Sequence, residues 1–527
     1  MKTLKKRVIQ FVLIFITNLI CTHLSAQGKP KQAKFVDPRE AKEHFSHGNF
    51  LAAIPVYKEL LKKDPNDVDY NHKIGICYLY TNINKTLAIP YLEKASKSGK
   101  ADNRVWKDMG LAYQYGSKFD DAIKAYTTYK ATAPSKEIEE IDHRIETCEN
   151  GKEYVKHPVN VTFQNLGMNV NSQYPDYYPL VPENESFVIF TSRRKGNIGA
   201  SQVEVDGYYS SDIYISLPSN DQWGKPKNMG GMVNTALDEQ AVGLTPDGQT
   251  MLMYIDHIDS SGNIYSSANK AGAFQRMKKL NENVNGFFET AGSITKDGNI
   301  IFFASQRPGG EGETDIYMAR KLPNGNWAQA QNLGNKVNSR YKEDFPEMAP
   351  DGKTLYFSSQ GHAGMGDFDL FKTVWDEPTN TWSEPKNLGY PVNSVGDDRS
   401  ISFTENNRIA YISAVREGGF GDLDLYRIKF NDAADRYTVL LCNVVGFDSA
   451  KLKDAAVTVI KANDPDPEPY IYTPNSKTGK FIMAFTPGKY QISIQAKGYK
   501  TYSDFINIFD FGAPNQNETK KTFILQK

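Results

Sequence analysis

The side chains best able to do chemistry are scattered, and their spacing argues against most of it. Gly366-Asp367-Phe368-Asp369 and Gly421-Asp422-Leu423-Asp424 repeat an acidic turn, and paired carboxylate oxygens of this kind suit a calcium ion. Asp212, Asp315, Asp369 and Asp424, however, all precede an apolar-aromatic pair. A duty that recurs copy by copy points to turn-satisfying carboxylates rather than to acid catalysts. His257 and His362 are single loop histidines with no second ligand at metal spacing. Gly352-Lys353-Thr354 has the ending of a phosphate-binding loop, but Glu347 stands where the first glycine belongs. The chain contains no G-x-S-x-G and no H-E-x-x-H, the spacings that mark a nucleophile elbow and a zinc protease. The expectation is therefore no catalytic, cofactor-binding or metal-binding residue, no cofactor, and no enzyme.

The cysteines agree. Cys21 lies in the leader described below, which leaves Cys77, Cys148 and Cys442, an odd set without C-x-x-C spacing. Cys77 and Cys148 could be bridged only if two helices met. Three buried thiols are the simpler expectation.

Composition narrows the class. Of 527 residues, Lys+Arg and Asp+Glu both total 62, and the first 26 residues hold four of the basic groups and no acid. Without that segment the balance is 58 against 62, a net charge of −4. No basic surplus remains for an electrostatic nucleic-acid binder. A hydrophobic content of 39% with 12% aromatics is enough for packed cores. The length allows several domains.

Residues 1–26 read as a signal peptide. Lys2–Arg7 are the positive segment, Val8–Ile20 a short apolar run, and Leu24-Ser25-Ala26 a small-residue cleavage site. The apolar run is too short to span a bilayer, which needs about 20 residues. Lipidation of Cys21 stays open, although bulky Ile20 precedes it where Gly or Ala is usual.

Residues 27–155 carry a helical repeat. Trp106, Met109, Gly110, Tyr113, Ala122, Tyr126 and Pro134 follow the W-x2-L-G-x2-Y…A-x3-F…P spacing of tetratricopeptide (TPR) units. The small residues let two antiparallel helices approach while the aromatic rings fill the space beside them, and Pro134 is expected to end the second helix. Ile74, Gly75, Tyr78, Ala88, Leu92 and Ala95 repeat the pattern, and Ala41, Ala53, Tyr57 and Pro65 repeat it loosely. The charged stretch Ser135–Tyr154 suits a capping helix. Such arrays bind proteins or peptides through positions the consensus does not identify.

Residues 158–430 hold one β-unit five times over. Val-Asn recurs at 170/171, 233/234, 284/285, 337/338 and 392/393, four residues after an apolar position. Pro246-Asp247-Gly248, Lys296-Asp297-Gly298 and Pro350-Asp351-Gly352 follow in the second to fourth units, each expected to supply the positive-φ pair of a tight hairpin. Each unit then closes on an acidic-aromatic strand such as Asp315-Ile316-Tyr317, with Asn263 replacing the acid in the second. A β-repeat of about 50 residues is a propeller blade, so a five-bladed β-propeller is expected, six remaining possible. Val159–Phe163 can close the ring. The Pro-Asp-Gly…Phe-x-Ser pattern resembles the WD40-like repeats of the TolB-type periplasmic propellers.

Residues 437–527 alternate as strands, with Gly479-Lys480-Phe481, Pro487-Gly488-Lys489-Tyr490 and Lys497-Gly498-Tyr499. This pattern resembles the carboxypeptidase-regulatory-like domain, which implies a transthyretin-like β-sandwich without an active site of its own.

The order of parts resembles periplasmic envelope proteins of the type IX secretion and gliding machinery, whose members usually end in an OmpA-like domain. The sandwich runs to Lys527, so that domain is not expected and peptidoglycan binding is not implied. The resemblance implies a non-enzymatic, periplasmic, outer-membrane-associated scaffold whose partners are envelope or outer-membrane proteins. A surface or secreted binding protein for an external ligand, and a propeller hydrolase acting on glycans or peptides, are the alternatives.

Overall fold

The computed structural model describes residues 37–527 except 221, 258–259, 377, 380, 405–406, 432–437, 453, 463–467 and 509–516. The leader expectation, including Cys21, lies outside the described residues. Among the described residues seven α-helices come first: α1 (Pro38–Ser46), α2 (Phe50–Lys63), α3 (Val68–Leu79), α4 (Ile89–Ser96), α5 (Arg104–Tyr115), α6 (Phe119–Lys130) and α7 (Ile138–Lys156). Short polar side chains start the first three. Asp37, Asn49 and Asp67 accept backbone N–H groups from Arg39, Ala52 and Tyr70, which satisfies donors a helix start leaves unpaired.

Two glycines set how closely the helices pack. A Cβ on Gly75 would lie 2.5 Å from Leu92 Cδ2, and one on Gly110 2.5 Å from Tyr126 Cδ1. The small-residue reading of α3/α4 and α5/α6 therefore holds at atomic detail. Pro134 acts differently from expectation. Helix α6 ends at Lys130, and Pro134 precedes the 3₁₀ turn Ser135–Glu137 that leads into α7, so it starts the next helix. Helix α7 stands where the capping helix was expected, and it is not left to solvent. Ile141, Cys148, Asn150, Gly151 and Tyr154 are all buried, because both neighbouring parts of the chain pack on this helix.

The β-propeller follows as five antiparallel sheets. Their inner three strands are Asp176–Leu180, Val188–Ser192 and Asp212–Ser216 in blade 1, and Asp238–Leu244, Thr250–His257 and Ser260–Lys270 in blade 2. Blade 3 has Glu289–Ile294, Ile300–Ser305 and Asp315–Arg320, and blade 4 has Glu343–Met348, Thr354–Ser359 and Asp369–Asp376. Blade 5 has Ile401–Phe403, Ile409–Ala414 and Asp424–Phe430. Its outermost strand is Val161–Asn165, with Val161 opposite Phe430 and Asn165 opposite Tyr426. The ring therefore closes by pairing the first propeller strand with the last blade, two residues beyond the expected segment.

Two expectations about the repeat need correction. Blades 1 to 4 do not close on the acidic-aromatic strand. A two-residue fourth strand follows, as at Lys227–Asn228 and Gln331–Asn332, so the Val-Asn motif leads from the outside of one blade to the inside of the next. Nor do the Asp-Gly turns hold a positive-φ pair. Only Gly248, Gly298 and Gly352 lie there, at φ 71°, 73° and 66°. Gly248 N–H bonds Thr245 O, and Thr245 N–H bonds Thr250 O, a longer turn with a single left-handed residue.

The last strands form two sheets. One orders Lys480–Phe485, Thr438–Gly446 and Asn517–Leu525, the last two parallel; the other orders Tyr470–Tyr472, Ala456–Lys461, Gly488–Gln495 and Tyr502–Ile508. Leu440, Cys442, Val457, Met483, Tyr490 and Phe523 share the core between them. The turn at Pro487-Gly488 thus carries the chain from one sheet to the other. Cys77, Cys148 and Cys442 are free and buried, each in a different apolar cluster. No helix among the described residues is long and apolar enough to cross a membrane.

Candidate functional site: the propeller face beneath the helices

Each Val-Asn motif is a structural clasp. The five valines are fully buried, and each asparagine turns its amide onto the third strand of the blade it leaves. Asn234 Oδ1 accepts from Ile213 N–H at 2.9 Å while its Nδ2 donates to Ile213 O at 2.9 Å. Asn285 does the same with Ile264, Asn338 with Ile316, Asn393 with Leu370 and Asn171 with Leu425. A side-chain amide thereby takes the place of a strand's peptide group.

Five buried carboxylates follow these clasps, at Asp176, Glu239, Glu289, Glu343 and Asp398. Asp176 accepts from Ser172 N–H and Oγ, Glu239 from Thr235, Glu343 from Ser339 and Asp398 from Ser394. In blade 3 Gly286 replaces the hydroxyl residue, and Glu289 accepts from Phe287 N–H instead. Arg194 reaches Asp176 and the Val170 carbonyl, and Arg307 reaches Glu289 and the Val284 carbonyl. His362 takes the arginine's place in blade 4, its Nε2 2.8 Å from Val337 O. Burial, together with a smaller effect of distant lysines, holds His362 down to about 4 and so neutral. Without a cation beside them, burial pushes Glu343 and Glu239 up to about 7. The sequence reading passed over this ring, although the signal was present as a Ser or Thr after Val-Asn with an acid four residues on.

The acidic turns divide their labour. Asp212, Asp315, Asp369 and Asp424 accept loop N–H groups from Ile198, Glu311, Met365 and Phe420, the turn-satisfying role expected of them. Asp367 and Asp422 instead face the helices. Asp367 takes Arg144 Nη1 at 2.5 Å and the Tyr115 hydroxyl at 2.6 Å; Asp422 takes Asn82 Nδ2 at 2.9 Å and the Tyr208 hydroxyl at 2.6 Å. Among the described residues no group of three or more His, Cys, Asp or Glu could hold a metal ion. Gly352-Lys353-Thr354 leads into the strand Thr354–Ser359, not into the helix a phosphate loop needs. His257 ends a strand, and its side chain lies outside the described residues.

The joint around Asp367 is extensive. Gln114 and Asn150 donate to the carbonyls of Met365 and Gly364, Tyr154 donates to Ala363 O, and His143 stacks on Tyr341 at 4.4 Å between centroids. Burial alone would raise the Asp367 carboxyl, but Arg144, the Tyr115 hydroxyl and Lys85 together outweigh it and hold the group below its ordinary value. Beneath the polar contacts, Phe119, Tyr126 and Cys148 of the helices share one buried cluster with Met365 of blade 4 and with Val439 and Ile482 of the sandwich.

Aromatic rings of two non-adjacent blades meet inside the propeller. Tyr178 and Phe345, on innermost strands of blades 1 and 4, lie 4.3 Å apart between centroids. Asp344 accepts from Thr290 Oγ1 at 2.6 Å and faces Arg399 Nη1 at 4.0 Å. Tyr178 also lines a cavity of about 340 Å³, with Tyr80 and Asn82 on the helical side and Arg193, Tyr208 and Gln240 on the propeller side. Arg193 is engaged there by Glu204 and Asp206.

No family model matches the chain, and no curated protein does. Among solved structures, TolB from Acinetobacter baumannii is 16% identical over 49% of this chain and 55% of that one, with a TM-score of 0.32. This chain thus spans about half of that protein's length. A putative TolB from Agrobacterium tumefaciens is 16% identical over 52% and 98%, with a TM-score of 0.29. An alpha-L-arabinofuranosidase from Lactobacillus brevis is 10% identical over 52% and 93%, with a TM-score of 0.33. The propeller assignment rests on the strand order of the five sheets.

Proposed function

We propose that the chain is a non-enzymatic scaffold of the bacterial envelope, exported and held at the periplasmic side of the outer membrane, that joins partner proteins. In this reading the helices are tetratricopeptide-type repeats and the last two sheets a transthyretin-like, carboxypeptidase-regulatory-like module, as in type IX secretion and gliding components. The observation that carries it is the α7 joint. Helices, blade 4 and sandwich share one buried cluster, and Arg144, Asn150 and Tyr154 of α7 are all bonded to the loop of blade 4. Three recognition modules are thereby held as one platform, which is what bridging partners at fixed spacing requires. The acids of the blades support the same reading, because they hold loops and helices rather than facing one another across a cleft.

The test is affinity purification of the tagged chain from gently solubilised membranes, with co-purifying proteins identified by mass spectrometry. Stoichiometric recovery of outer-membrane or secretion components is expected. Recovery of the chain alone from the soluble fraction would overturn the proposal, and cleavage by protease added to intact cells would place it at the surface.

A further inference from the structure

The cavity of about 340 Å³ between the helices and blade 1 is lined by four tyrosines, Tyr80, Tyr177, Tyr178 and Tyr208. Its volume is at the low end of the range for ligand pockets, which suits a short stretch of extended chain rather than a folded element. Contacts outside the cavity fix the rings. Tyr80, the residue after α3, tilts against Phe50 at 5.6 Å between centroids and is still 62% exposed. Tyr177 and Tyr178 meet edge to face at 4.7 Å and 84°. Tyr208 lies against the Arg193 guanidinium at 5.4 Å and gives its hydroxyl to Asp422.

The backbone is strained where it presents one of these rings. Tyr178 stands at φ 54° within a β-bulge of the innermost strand of blade 1, where the register shifts between Tyr177 and Leu180. For a bulky side chain that conformation is an outlier. The innermost strands of blades 2 and 3 also shift register, yet hold no left-handed residue. The bulge alone therefore does not demand it. The other instance is Phe345 of blade 4, at φ 47°, whose ring is the one that meets Tyr178. Bulges re-aim side chains beside binding sites, and strain of this kind collects there.

The polar groups narrow the ligand. The charged residues of the wall are already engaged, Arg193 by Glu204 and Asp206, and Asp422 by Asn82 and Tyr208. An ionic ligand would find no free counter-charge. The hydroxyls of Tyr80 and Tyr178 and the amide of Gln240 have no hydrogen bond to a described residue, so donors are left for a ligand's acceptors.

We propose that this cavity binds a proline-rich peptide segment in the polyproline II conformation. Proline lacks an N–H, so such a segment offers carbonyl acceptors and apolar rings, which match free donors set among aromatic edges. Its conformation is stiff before it docks, so little entropy is lost. A saccharide presents many hydroxyls that both donate and accept, and the charged side chains that would take them are bonded elsewhere. The site rests on the scaffold reading only for the source of the segment, so binding by the purified chain stands or falls apart from recovery of partners from membranes.

The experiment is calorimetric titration of the full chain with N-acetyl-hexaproline amide, with an end-blocked glycine-serine hexapeptide and cellobiose for comparison. The proline peptide is expected to bind at least about tenfold more tightly than either. Tyr80→Ala and Gln240→Ala should each weaken it at least about fivefold while keeping the wild-type melting temperature. No heat from the proline peptide at about 5 mM, equal binding of the two hexapeptides, or undiminished binding by both variants overturns the proposal. Tighter binding of cellobiose than of the proline peptide overturns it in favour of a saccharide site.

Discussion

Asp367, in the loop between the second and third strands of blade 4, lies 2.5 Å from the Arg144 guanidinium of α7 and 2.6 Å from the Tyr115 hydroxyl of α5. Both oxygens of one propeller carboxylate are thus taken up by the helices. The Asp367 and Arg144 side chains keep 16% and 25% of their surface exposed, so removing one member of this half-buried pair should cost about 1–3 kcal/mol, less than the full penalty of a dry site. Asp367→Asn should therefore split a single thermal transition in calorimetry into separate melting of the helices and the propeller. The carboxyl is held below its ordinary value, so its contribution is present above the unfolded pKa and is lost as pH falls through the folded one. Strong acid should loosen the joint in the wild type and leave Asp367→Asn unaffected by that group.

The Val-Asn clasps predict a second cost. Asn338→Ala would leave Ile316 N–H and Ile316 O of blade 3 without the partners they have at 2.8 Å and 3.0 Å. Ile316 O keeps the Leu333 N–H at 3.1 Å, so the one buried N–H left unpaired should destabilise by about 1–3 kcal/mol in urea unfolding. Asn338→Asp restores the acceptor but not the donor, and it should fall between the alanine variant and the wild type.

Glu347 predicts the reverse sign. On the innermost strand of blade 4 it pairs with Tyr356, as Ser293 pairs with Phe302 and Ser402 with Tyr411. Those serines accept backbone N–H groups of the next blade, from Met348 and Val181. Glu347 has no such bond to a described residue, and burial pushes it up to about 8. A raised carboxyl gives stability that is fully present below the unfolded pKa and lost as pH rises through the folded one. Glu347→Gln should therefore stabilise the propeller by about 2 kcal/mol at pH 7, partial exposure having screened the effect, and should flatten the decline in stability between pH 5 and 8.

Gly110 is a tightly packed backbone position in the helices. A methyl group there would press on the Tyr126 ring, which also donates its hydroxyl to Gln114. Gly110→Ala should cost about 1–3 kcal/mol despite its better helix propensity, read by circular dichroism during thermal unfolding. Gly325→Ala, with nothing within 4 Å of its Cβ, separates the two mechanisms, since its only penalty is the positive φ of 85°.

Much of this architecture was legible in the sequence because it repeats. Val-Asn, Asp-Gly and Asp-Ile-Tyr recur at near-constant spacing, and periodicity exposes a residue's role as strand, turn or core. Contacts between units leave no such trace. Asp367 and Asp422 have the same Gly-Asp context and gave only a weak calcium signal. Their real partners, Arg144 and Asn82, lie more than 200 residues away in the chain. The contacts of α7 with the propeller and the sandwich escaped the sequence for the same reason. A helix whose charges meet loops from two other sheets looks, in sequence, like one that faces water. His362 read as a solitary histidine because the arginine it replaces was not recognised as part of the unit.

The most direct test of the scaffold account is to purify tagged wild-type and Asp367→Asn chains side by side from gently solubilised membranes and quantify what comes with them. The account predicts that the wild type recovers envelope proteins in stoichiometric amounts and that loosening the joint lowers that recovery severalfold. If the wild type emerges alone from the soluble fraction, the chain is not a scaffold of an envelope complex.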